Sequence, residues 1–448
     1  MVTPVDAIII GFGKAGKTLA GYLAKKGEKV VLIEQDETMY GGTCINRGCI
    51  PSKTLVKNAE RASLLTKTWS EKERFYREAV QDKMTVVTTL RGKNYGKLAS
   101  FPNLKIVVGT AAFLGAHEVE VGGGSYSSPK IFINTGSTSF VPPLTGIKDN
   151  PHVYLSDTLM NLTVLPKTLT IIGGGYIGLE FANMFNLFGS KVTILQVEDT
   201  FIPREDRDIA AAIASDFEKR GISITYDVSV ESLDPDGIVH YKTKEGSASL
   251  PSEAILVATG RKPNIGSLHL EKAGVALTSR GAIAVDEHLE TNVPGVFAMG
   301  DVNGGLQFTY ISLDDFRIVK SYLENPSSAR KLSERKNVAY SVFISPAFSR
   351  VGLSEADAKA KGIEYKLFTL PAGAIPKALV LGNTTGLLKA LVDPKTNLIL
   401  GAHLYCNESY ELINLISLAM DYQIPYTALR DKIYTHPTMS EAFNDLFA

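Results

Sequence analysis

Positions 7–16 read AIIIGFGKAG, an apolar run that leads directly into a glycine-rich turn. A helical pattern follows through Lys26, and a second apolar run, VVLIE, ends at Glu34. A strand without polar positions is typical of a parallel sheet that helices cover on both faces. The order of strand, turn, helix and strand therefore predicts a βαβ unit.

The same pattern occurs a second time further along the chain. The motif LTIIGGGYIG at positions 169–178 precedes a helical pattern to Gly189 and the apolar run VTILQ, which ends at Gln196. In both copies this last position comes 23 places after the first glycine, from 11 to 34 and from 173 to 196. Each copy is followed by an apolar strand that ends in Thr-Gly, at Thr135-Gly136 and Thr259-Gly260. The repeat predicts an α/β protein with two nested Rossmann-like dinucleotide-binding domains.

The glycine motifs indicate nucleotide binding. Glycine at these spacings permits a tight turn and a close approach of the backbone to a pyrophosphate, whose charge a helix N-terminus favours. Glu34 stands where a carboxylate would bind a ribose hydroxyl, whereas Gln196 replaces the acid in the second copy. Arg204 lies further along the loop, and contact with a phosphate and a solvated surface charge are both open for it. Glutamine neither repels nor attracts a 2′-phosphate strongly, so both NADH and NADPH stay open. The candidate glycines are Gly11, Gly13 and Gly16 in the first copy and Gly173, Gly175 and Gly178 in the second.

Two cysteines follow the first βαβ unit in the motif GGTCINRGCIPSK, which ends at Lys53. Pro51 suits the first turn of a helix, so Cys49 is predicted at or next to a helix N-terminus, where the pKa of a thiol falls. Lys53 adds a cation one turn further on. Zinc ligation and two idle thiols are the alternatives, but Cys406 is alone and the seven histidines are scattered. The spacing of Cys44 and Cys49 therefore favours a redox pair, and Cys406 is expected to be a packed apolar side chain.

Composition excludes several classes of protein. The 448 residues are too many for one core, and the 47 basic and 47 acidic residues balance, so no basic surplus points to nucleic acid. No stretch reaches the roughly 18 apolar residues of a membrane span. The N-terminal residues lack the features of a secretory signal, and three cysteines do not make a disulfide-stapled scaffold. We expect a cytoplasmic protein without a nucleic-acid or membrane partner.

Taken together, these motifs resemble the class I pyridine nucleotide–disulfide oxidoreductases, the family of lipoamide dehydrogenase, glutathione reductase and mercuric reductase. The resemblance covers essentially the whole chain and includes ATGRKPN at 258–264, AMGD at 298–301 and HPTMSE at 436–441. It implies FAD on the first fold, NADH or NADPH on the second, and a homodimer whose active site is shared between subunits. The implied division is an FAD-binding domain in two parts (1–148 and 267–336), an NAD(P)-binding domain (149–266) and an α+β dimerisation domain (337–448).

The resemblance also implies roles for the redox residues. Cys49 matches the thiol next to the flavin, and Cys44 matches the interchange thiol that meets the acceptor. Lys53 matches a lysine near the flavin that pairs with a glutamate, which here is Glu180. The remaining matches to the family's FAD site are Gly42, Thr43, Thr135, Gly136 and Asp301, and Gly260 matches its NAD(P) site.

His436 and Glu441 match the acid–base pair that reaches the disulfide of the partner subunit. Many relatives carry a second histidine two places earlier, and here Tyr434 stands in that place. The base is retained, but this departure weakens the case for lipoamide dehydrogenase.

Further motifs resemble a bacterial branch of the family assigned as Cu(II) reductases in hypochlorous-acid stress defence. They include FIPREDRD at 201–208 and GGLQFTYISLDD at 304–315. Soft thiolates select Cu(I), so Cys44 and Cys49 are candidate transient metal ligands. Mercuric reductase delivers mercury through cysteines near its C-terminus, and no cysteine follows Cys406 here. A small disulfide or mercury as the acceptor, and a redox-sensing flavoprotein that turns over slowly, are the alternatives.

Overall fold

The computed structural model describes every residue from Met1 to Ala448. The chain folds into two compact units, and three segments contribute to each. Unit 1 comprises Met1–Leu55, Ala79–Val141 and Gly260–Arg335. Unit 2 comprises Val56–Glu78, Pro142–Thr259 and Lys336–Ala448. The finer division into four segments stays a prediction.

A parallel five-stranded sheet forms the centre of unit 1. All four residues of its middle strand are buried, which explains why AIII contains no polar position. Ile8 pairs with Val31 on one side and with Ile131 on the other. The helices Lys14–Lys25, here called the first fingerprint helix, and Thr309–Glu324 share an apolar core with this sheet. The strands in spatial order are Val296–Ala298, Ile131–Ile133, Ala7–Ile10, Val30–Glu34 and Leu104–Val108.

Smaller elements complete unit 1. A four-stranded sheet consists of Val2–Pro4, Gly124–Ser127, Glu118–Val121 and Ala112–Gly115, in that order. The strands Ser137–Ser139 and Arg261–Pro263 pair antiparallel. The short helices are Thr43–Asn46 and Leu270–Ala273. Two long helices, Cys49–Leu65 (the dithiol helix) and Trp69–Ala99, have residues in both units.

Unit 2 contains the second parallel sheet. Thr170 pairs with Thr193 on one side and with Ile255 on the other. The helix Tyr176–Phe188, here called the second fingerprint helix, ends at Gly189 with a positive φ of 110° that glycine tolerates. The sheet order is Val153–Tyr154, Ala254–Val257, Thr168–Ile172, Lys191–Leu195 and Ser223–Thr225. The other elements of this part are the helices Ser156–Leu159 and Arg207–Lys219 and the antiparallel strands Ser229–Leu233, Ile238–Thr243 and Gly246–Pro251.

The C-terminal part of unit 2 is an antiparallel sheet with helices. Cys406 is fully buried in its apolar core. The strands in spatial order are Tyr340–Val342, Phe348–Gly352, Ile399–Tyr405, Leu387–Val392 and Lys366–Pro371. The helices are Glu355–Ala360, Pro376–Val380, Ser409–Asp421, Tyr426–Arg430 and Ala442–Leu446.

The repeated motifs thus form two βαβ units, as the sequence predicts. The α+β character expected from position 337 onwards is also present. None of the helices combines the length and the hydropathy that a bilayer crossing requires.

A buried cation in unit 2 joins three acidic side chains. Lys389 is 0% exposed, and its Nζ lies 3.0 Å from Asp206 Oδ2 and 2.9 Å from Asp208 Oδ2. It also pairs with Glu355. Burial works to lower the pKa of Lys389, but hydrogen bonds to the three carboxylates outweigh burial and raise it. The ammonium group therefore stays charged and holds together a carboxylate cluster that would otherwise suit a metal ion.

We expect Lys389→Met to destabilise unit 2 by about 3 kcal/mol, because it leaves the buried charge of Asp206 uncompensated, whereas Asp208 and Glu355 are partly solvated. Trp69 is the single tryptophan of the chain and lies in unit 2, so its fluorescence during urea unfolding measures the change. Lys359→Met is the control, since Lys359 pairs with Glu355 at 3.7 Å on the surface and its loss should cost about 1 kcal/mol or less. Equal effects of the two substitutions would contradict the prediction.

Candidate functional site

The first glycine turn is packed too tightly for any side chain. Gly11 has a φ of +106°, and a Cβ there would lie 2.3 Å from the carbonyl oxygen of Asn134. A Cβ on Gly13 would meet Asn134 Oδ1 at 2.4 Å, and one on Gly16 would meet the Gly11 oxygen at 2.3 Å. The amide of Gly16 donates to Asn134 Oδ1 over 2.9 Å. The turn therefore places the N-terminus of the first fingerprint helix at the carboxyl end of the sheet, where a pyrophosphate binds.

Glu34 is fixed beside this turn. Its Oε2 accepts from the Phe12 amide at 2.9 Å, and its Oε1 accepts from the Gln35 amide at 2.8 Å. Burial raises the pKa of Glu34, although these backbone hydrogen bonds oppose the shift. The carboxylate keeps lone pairs for further donors, so it is suited to accept from the hydroxyls of a ribose.

Other residues assigned to the FAD site also fit a bound group. The Thr135 hydroxyl is buried without a hydrogen-bond partner in the chain. The Thr135 backbone nitrogen is 3.1 Å from the Cβ position at Gly11, so the orphaned hydroxyl belongs to the same turn. Gly42 has a φ of +80°, and a Cβ there would come within 2.7 Å of Gly13 Cα. The Asp301 carboxylate accepts from Ser137 Oγ at 2.6 Å and belongs to the same unit.

The two cysteines of the motif lie on consecutive helical segments. Cys44 is the second residue of Thr43–Asn46, and Cys49 is the first residue of the dithiol helix, as predicted. Both are free thiols, with Cys44 half-buried and Cys49 exposed. Thr309 Oγ1 lies 3.7 Å from the Cys49 sulfur.

Cys44 and Cys49 lie in environments that affect the pKa values of their thiols differently. The pKa of Cys44 is raised well above its usual range, first by its hydrogen bond to Cys49 and then by burial. A helix N-terminus favours a thiolate at its first residue, which is Cys49. The raised pKa of Cys44 and the helix N-terminus at Cys49 together favour a thiolate on Cys49 over one on Cys44.

A lysine that sequence analysis missed lies beside this pair. Lys17 Nζ donates to Asn94 Oδ1 at 2.7 Å and to the Gly41 carbonyl at 3.4 Å. Burial and then the charge of Lys14 lower the pKa of Lys17 to about 8, while a charge on Cys44 would raise it. In the sequence nothing distinguishes Lys17 from the other lysines of the first fingerprint helix, because its partner Asn94 belongs to a distant helix.

Two further assigned residues lie on well-defined helices. Lys53 is one turn after Cys49 on the dithiol helix, in unit 1. Glu180 is on the second fingerprint helix, in unit 2, and its Oε1 accepts from the Phe343 amide at 2.9 Å. Their roles toward a flavin stay predictions.

His436 and Glu441 form a hydrogen-bonded pair near the C-terminus. His436 Nδ1 lies 2.7 Å from Glu441 Oε2, with the imidazole 69% exposed and the carboxylate 16% exposed. A carboxylate in this position orients the ring, as an acid–base pair requires. Tyr434 packs against the core and donates to the Leu429 carbonyl at 3.0 Å, so it does not replace a second histidine chemically.

The second glycine turn is similar but more open. Gly173 has a φ of +108°, and a Cβ there would lie 2.6 Å from the Ala258 oxygen, while one on Gly178 would lie 2.2 Å from the Gly173 oxygen. Gly260 belongs to unit 1, where a Cβ on it would meet nothing within 4 Å. In unit 2, a Cβ on Gly175 would also meet nothing within 4 Å. This space beside the helix N-terminus is available to a ligand.

Gln196 has two neighbours beside this second turn. Its Oε1 accepts from the Gly174 amide at 2.8 Å, and its Nε2 donates to the Glu198 carboxylate. Gln196 is 4% exposed, whereas Glu198 is exposed. Sequence analysis missed Glu198, although an acid two places after Gln196 is a feature that could have indicated it.

Comparison with known proteins agrees with this architecture. The sequence profile described as pyridine nucleotide-disulphide oxidoreductase matches residues 5–315. The profile described as the dimerisation domain of that family matches residues 338–447. Together these two matches span nearly the whole chain.

Relatives of known identity extend the comparison. The pyridine nucleotide-disulfide oxidoreductase RclA of Escherichia coli (strain K12) is 49% identical over 451 residues, which cover 99% of this chain and 98% of that protein. Mercuric reductase of Bacillus cereus is 33% identical over 448 residues, which cover 97% of this chain and 70% of that protein. The resemblance predicted from the motifs is therefore confirmed.

Solved structures of relatives also agree with this family assignment. A Cu(II) complex of the HOCl-induced flavoprotein disulfide reductase RclA from Escherichia coli superposes with a TM-score of 0.93 at 49% identity, over 100% of this chain and 99% of that one. A Cu(II) complex of a Cys-to-Ser mutant of that protein gives the same values. This chain belongs to the pyridine nucleotide–disulfide oxidoreductases, and it is an NAD(P)H-dependent, FAD-containing disulfide oxidoreductase that carries the dimerisation domain of that family.

Proposed function

We propose that this enzyme passes electrons from NAD(P)H to Cu(II) through the Cys44–Cys49 pair, and that it serves in defence against hypochlorous acid. The observation that carries the proposal is the arrangement of the pair, with Cys49 at a helix N-terminus and Cys44 protonated beside it. The Cu(II) complex of a relative that is 49% identical over the full length supports the choice of acceptor.

The residues of the first turn fit FAD, because the glycine contacts exclude side chains and the Thr135 hydroxyl lacks a partner in the chain. When bound, FAD accepts hydride from the nicotinamide and supplies electrons to the disulfide. The residues assigned to hold it are the first-copy glycines, Gly42, Thr43, Glu34, Thr135, Gly136 and Asp301. The protein contributes orientation and the charge distribution around the thiols.

The chemistry of the thiols suits copper. The reduced pair holds two electrons, and two Cu(II) ions each accept one, so that the S–S bond re-forms, two Cu(I) ions leave and the single proton of Cys44 is released. Cys49 supplies the sulfur that is charged first, and Cys44 must lose its proton before it can bind a metal or re-form the disulfide. The proposed acceptor of that proton is His436 of the second subunit, because Glu441 holds its ring by a hydrogen bond of 2.7 Å and the imidazole is exposed.

Mercury is the weaker candidate acceptor. Of the three cysteines, Cys406 is alone and fully buried, so these 448 residues offer no second thiol pair to bind a mercuric ion. A small disulfide such as glutathione or lipoamide is the second candidate, since the family reduces disulfides through the same pair.

Cys44→Ser should abolish Cu(II) reduction while FAD stays bound and NADH still reduces the flavin. The reason is that Cys44 is the thiol assigned to meet the acceptor, and the serine hydroxyl cannot carry the electrons. The measurement is anaerobic NADH oxidation with Cu(II), in which Cu(I) is read with a chelating dye. Cu(I) should form at two equivalents per NADH in the wild type.

The control is Cys406→Ala, which removes the one thiol outside the motif and should keep full activity in enzyme with the same flavin content. Cu(II) binding alone is an insufficient readout, because a Cys-to-Ser mutant of the Escherichia coli relative also forms a Cu(II) complex. Full Cu(I) formation by Cys44→Ser would mean that the metal bypasses the dithiol. No acceleration by Cu(II) in the wild type would leave a small disulfide as the acceptor.

Lys17 should make the reactivity of Cys44 depend on pH. Below its pKa of about 8, Lys17 is charged and stabilises a thiolate on Cys44. Above that pH, Lys17 is neutral and no longer stabilises the thiolate. We expect Lys17→Met to slow alkylation of Cys44 by iodoacetamide at neutral pH by a few-fold, because the charge of Lys17 has a smaller influence on the Cys44 thiol than Cys49 and burial have. The difference from the wild type should shrink as the pH rises through 8.

Mass spectrometry of the reduced enzyme assigns alkylation to Cys44 or Cys49. Lys17→Arg is the control, because it keeps the charge and should keep the Cys44 rate above pH 8 as well. A Lys17→Met enzyme with the wild-type rate at every pH would show that the ammonium group does not act on Cys44.

A further inference from the structure

We infer that Glu198 makes the enzyme selective for NADH over NADPH, in the role that an acid at position 196 would otherwise fill. The inference rests on the assignment of the second fold as the nicotinamide site. Gln196 carries no charge. The residue at the end of the second strand, which normally determines the preference for NADH or NADPH, therefore does not determine it here. Instead, we assign this effect to the charge of Glu198, two places later in the sequence.

Gln196 makes the same hydrogen bond to its glycine turn that Glu34 makes to the first turn. In the first turn the Phe12 amide donates to Glu34 Oε2 at 2.9 Å. In the second turn the Gly174 amide, at the matching position, donates to Gln196 Oε1 at 2.8 Å. In both copies, one side-chain oxygen at the end of the strand accepts a hydrogen bond from the turn. The side-chain amide of glutamine can accept this bond as well as the carboxylate of glutamate can.

The second atom of each side chain differs. Glu34 has another carboxylate oxygen, whereas Gln196 has Nε2, which is a donor. That nitrogen donates to Glu198 Oε2, so the Glu198 carboxylate is held at the end of the strand Lys191–Leu195. Gln196 is buried and Glu198 is exposed, which leaves the negative charge on the solvent side, where a ribose would bind.

A carboxylate at this place discriminates between the two nucleotides by charge. It accepts hydrogen bonds from the free 2′-hydroxyl of NADH, and it repels the 2′-phosphate of NADPH. The neighbouring carboxylate of Asp227 does not add to this effect, because it is paired with Lys244 at 2.7 Å.

The test measures nucleotide preference without any electron acceptor. Binding of NAD⁺ and NADP⁺ to the oxidised, FAD-loaded enzyme is measured by calorimetry, and flavin reduction by NADH and NADPH is followed by stopped flow. We expect the wild type to favour NADH by about tenfold or more, Glu198→Gln to lose most of that preference, and Glu198→Arg to favour NADPH.

Asp199→Asn is the matched control, because it removes the same charge one residue further on. Its carboxylate accepts from Thr200 Oγ1 and not from Gln196, so the preference should be unchanged. The inference is overturned if the wild type does not favour NADH, or if Glu198→Gln changes the ratio no more than Asp199→Asn. Because no Cu(II) is present, failure of the copper proposal leaves this result intact, whereas failure of both nucleotides to bind would reject the assigned nicotinamide site itself.

Discussion

Asn134 fixes the carboxyl end of the parallel sheet in unit 1, and the dinucleotide site depends on it. Its backbone amide donates to the Ile10 carbonyl at 2.7 Å, its Nδ2 donates to the Met299 carbonyl at 2.6 Å, and its Oδ1 accepts from the Gly16 amide at 2.9 Å. One residue thus joins the ends of three strands to the start of a helix. Because ligands of parallel sheets bind beyond the carboxyl ends of the strands, this edge must be rigid before a cofactor can be positioned on it.

The second copy of the fold lacks that clamp. Gly173 approaches the carbonyl of Ala258, which has no polar side chain to close the turn. A Cβ on Gly13 would collide with Asn134 Oδ1 at 2.4 Å, whereas one on the matching Gly175 would meet nothing within 4 Å. The difference in packing agrees with the chemistry that each copy serves. On the proposed assignment, the tighter first copy would hold the FAD that remains bound, and the more open second copy would hold the nicotinamide that exchanges.

Much of the fold and part of the site follow from the sequence alone. The strand Val30–Glu34 and the start of the dithiol helix at Cys49 lie where periodicity, glycines and Pro51 place them, because these features are local. Lys17 could not be found in this way, since its partner Asn94 is 77 residues away in sequence and only tertiary packing brings them together. The burial that shifts the pKa of Lys17 has the same origin.

Gln196 illustrates a different limit of motif interpretation. A motif assigns one residue to one position, but the acid at the end of the second strand performs two tasks: it accepts from the turn, and it presents a charge to the ribose. Here the tasks are divided, because Gln196 binds the Gly174 amide and also holds the Glu198 carboxylate. The absence of an acid at position 196 therefore does not imply the absence of its charge. Selectivity follows from where the carboxylate is held, and a loop can hold it from a residue that the motif does not include.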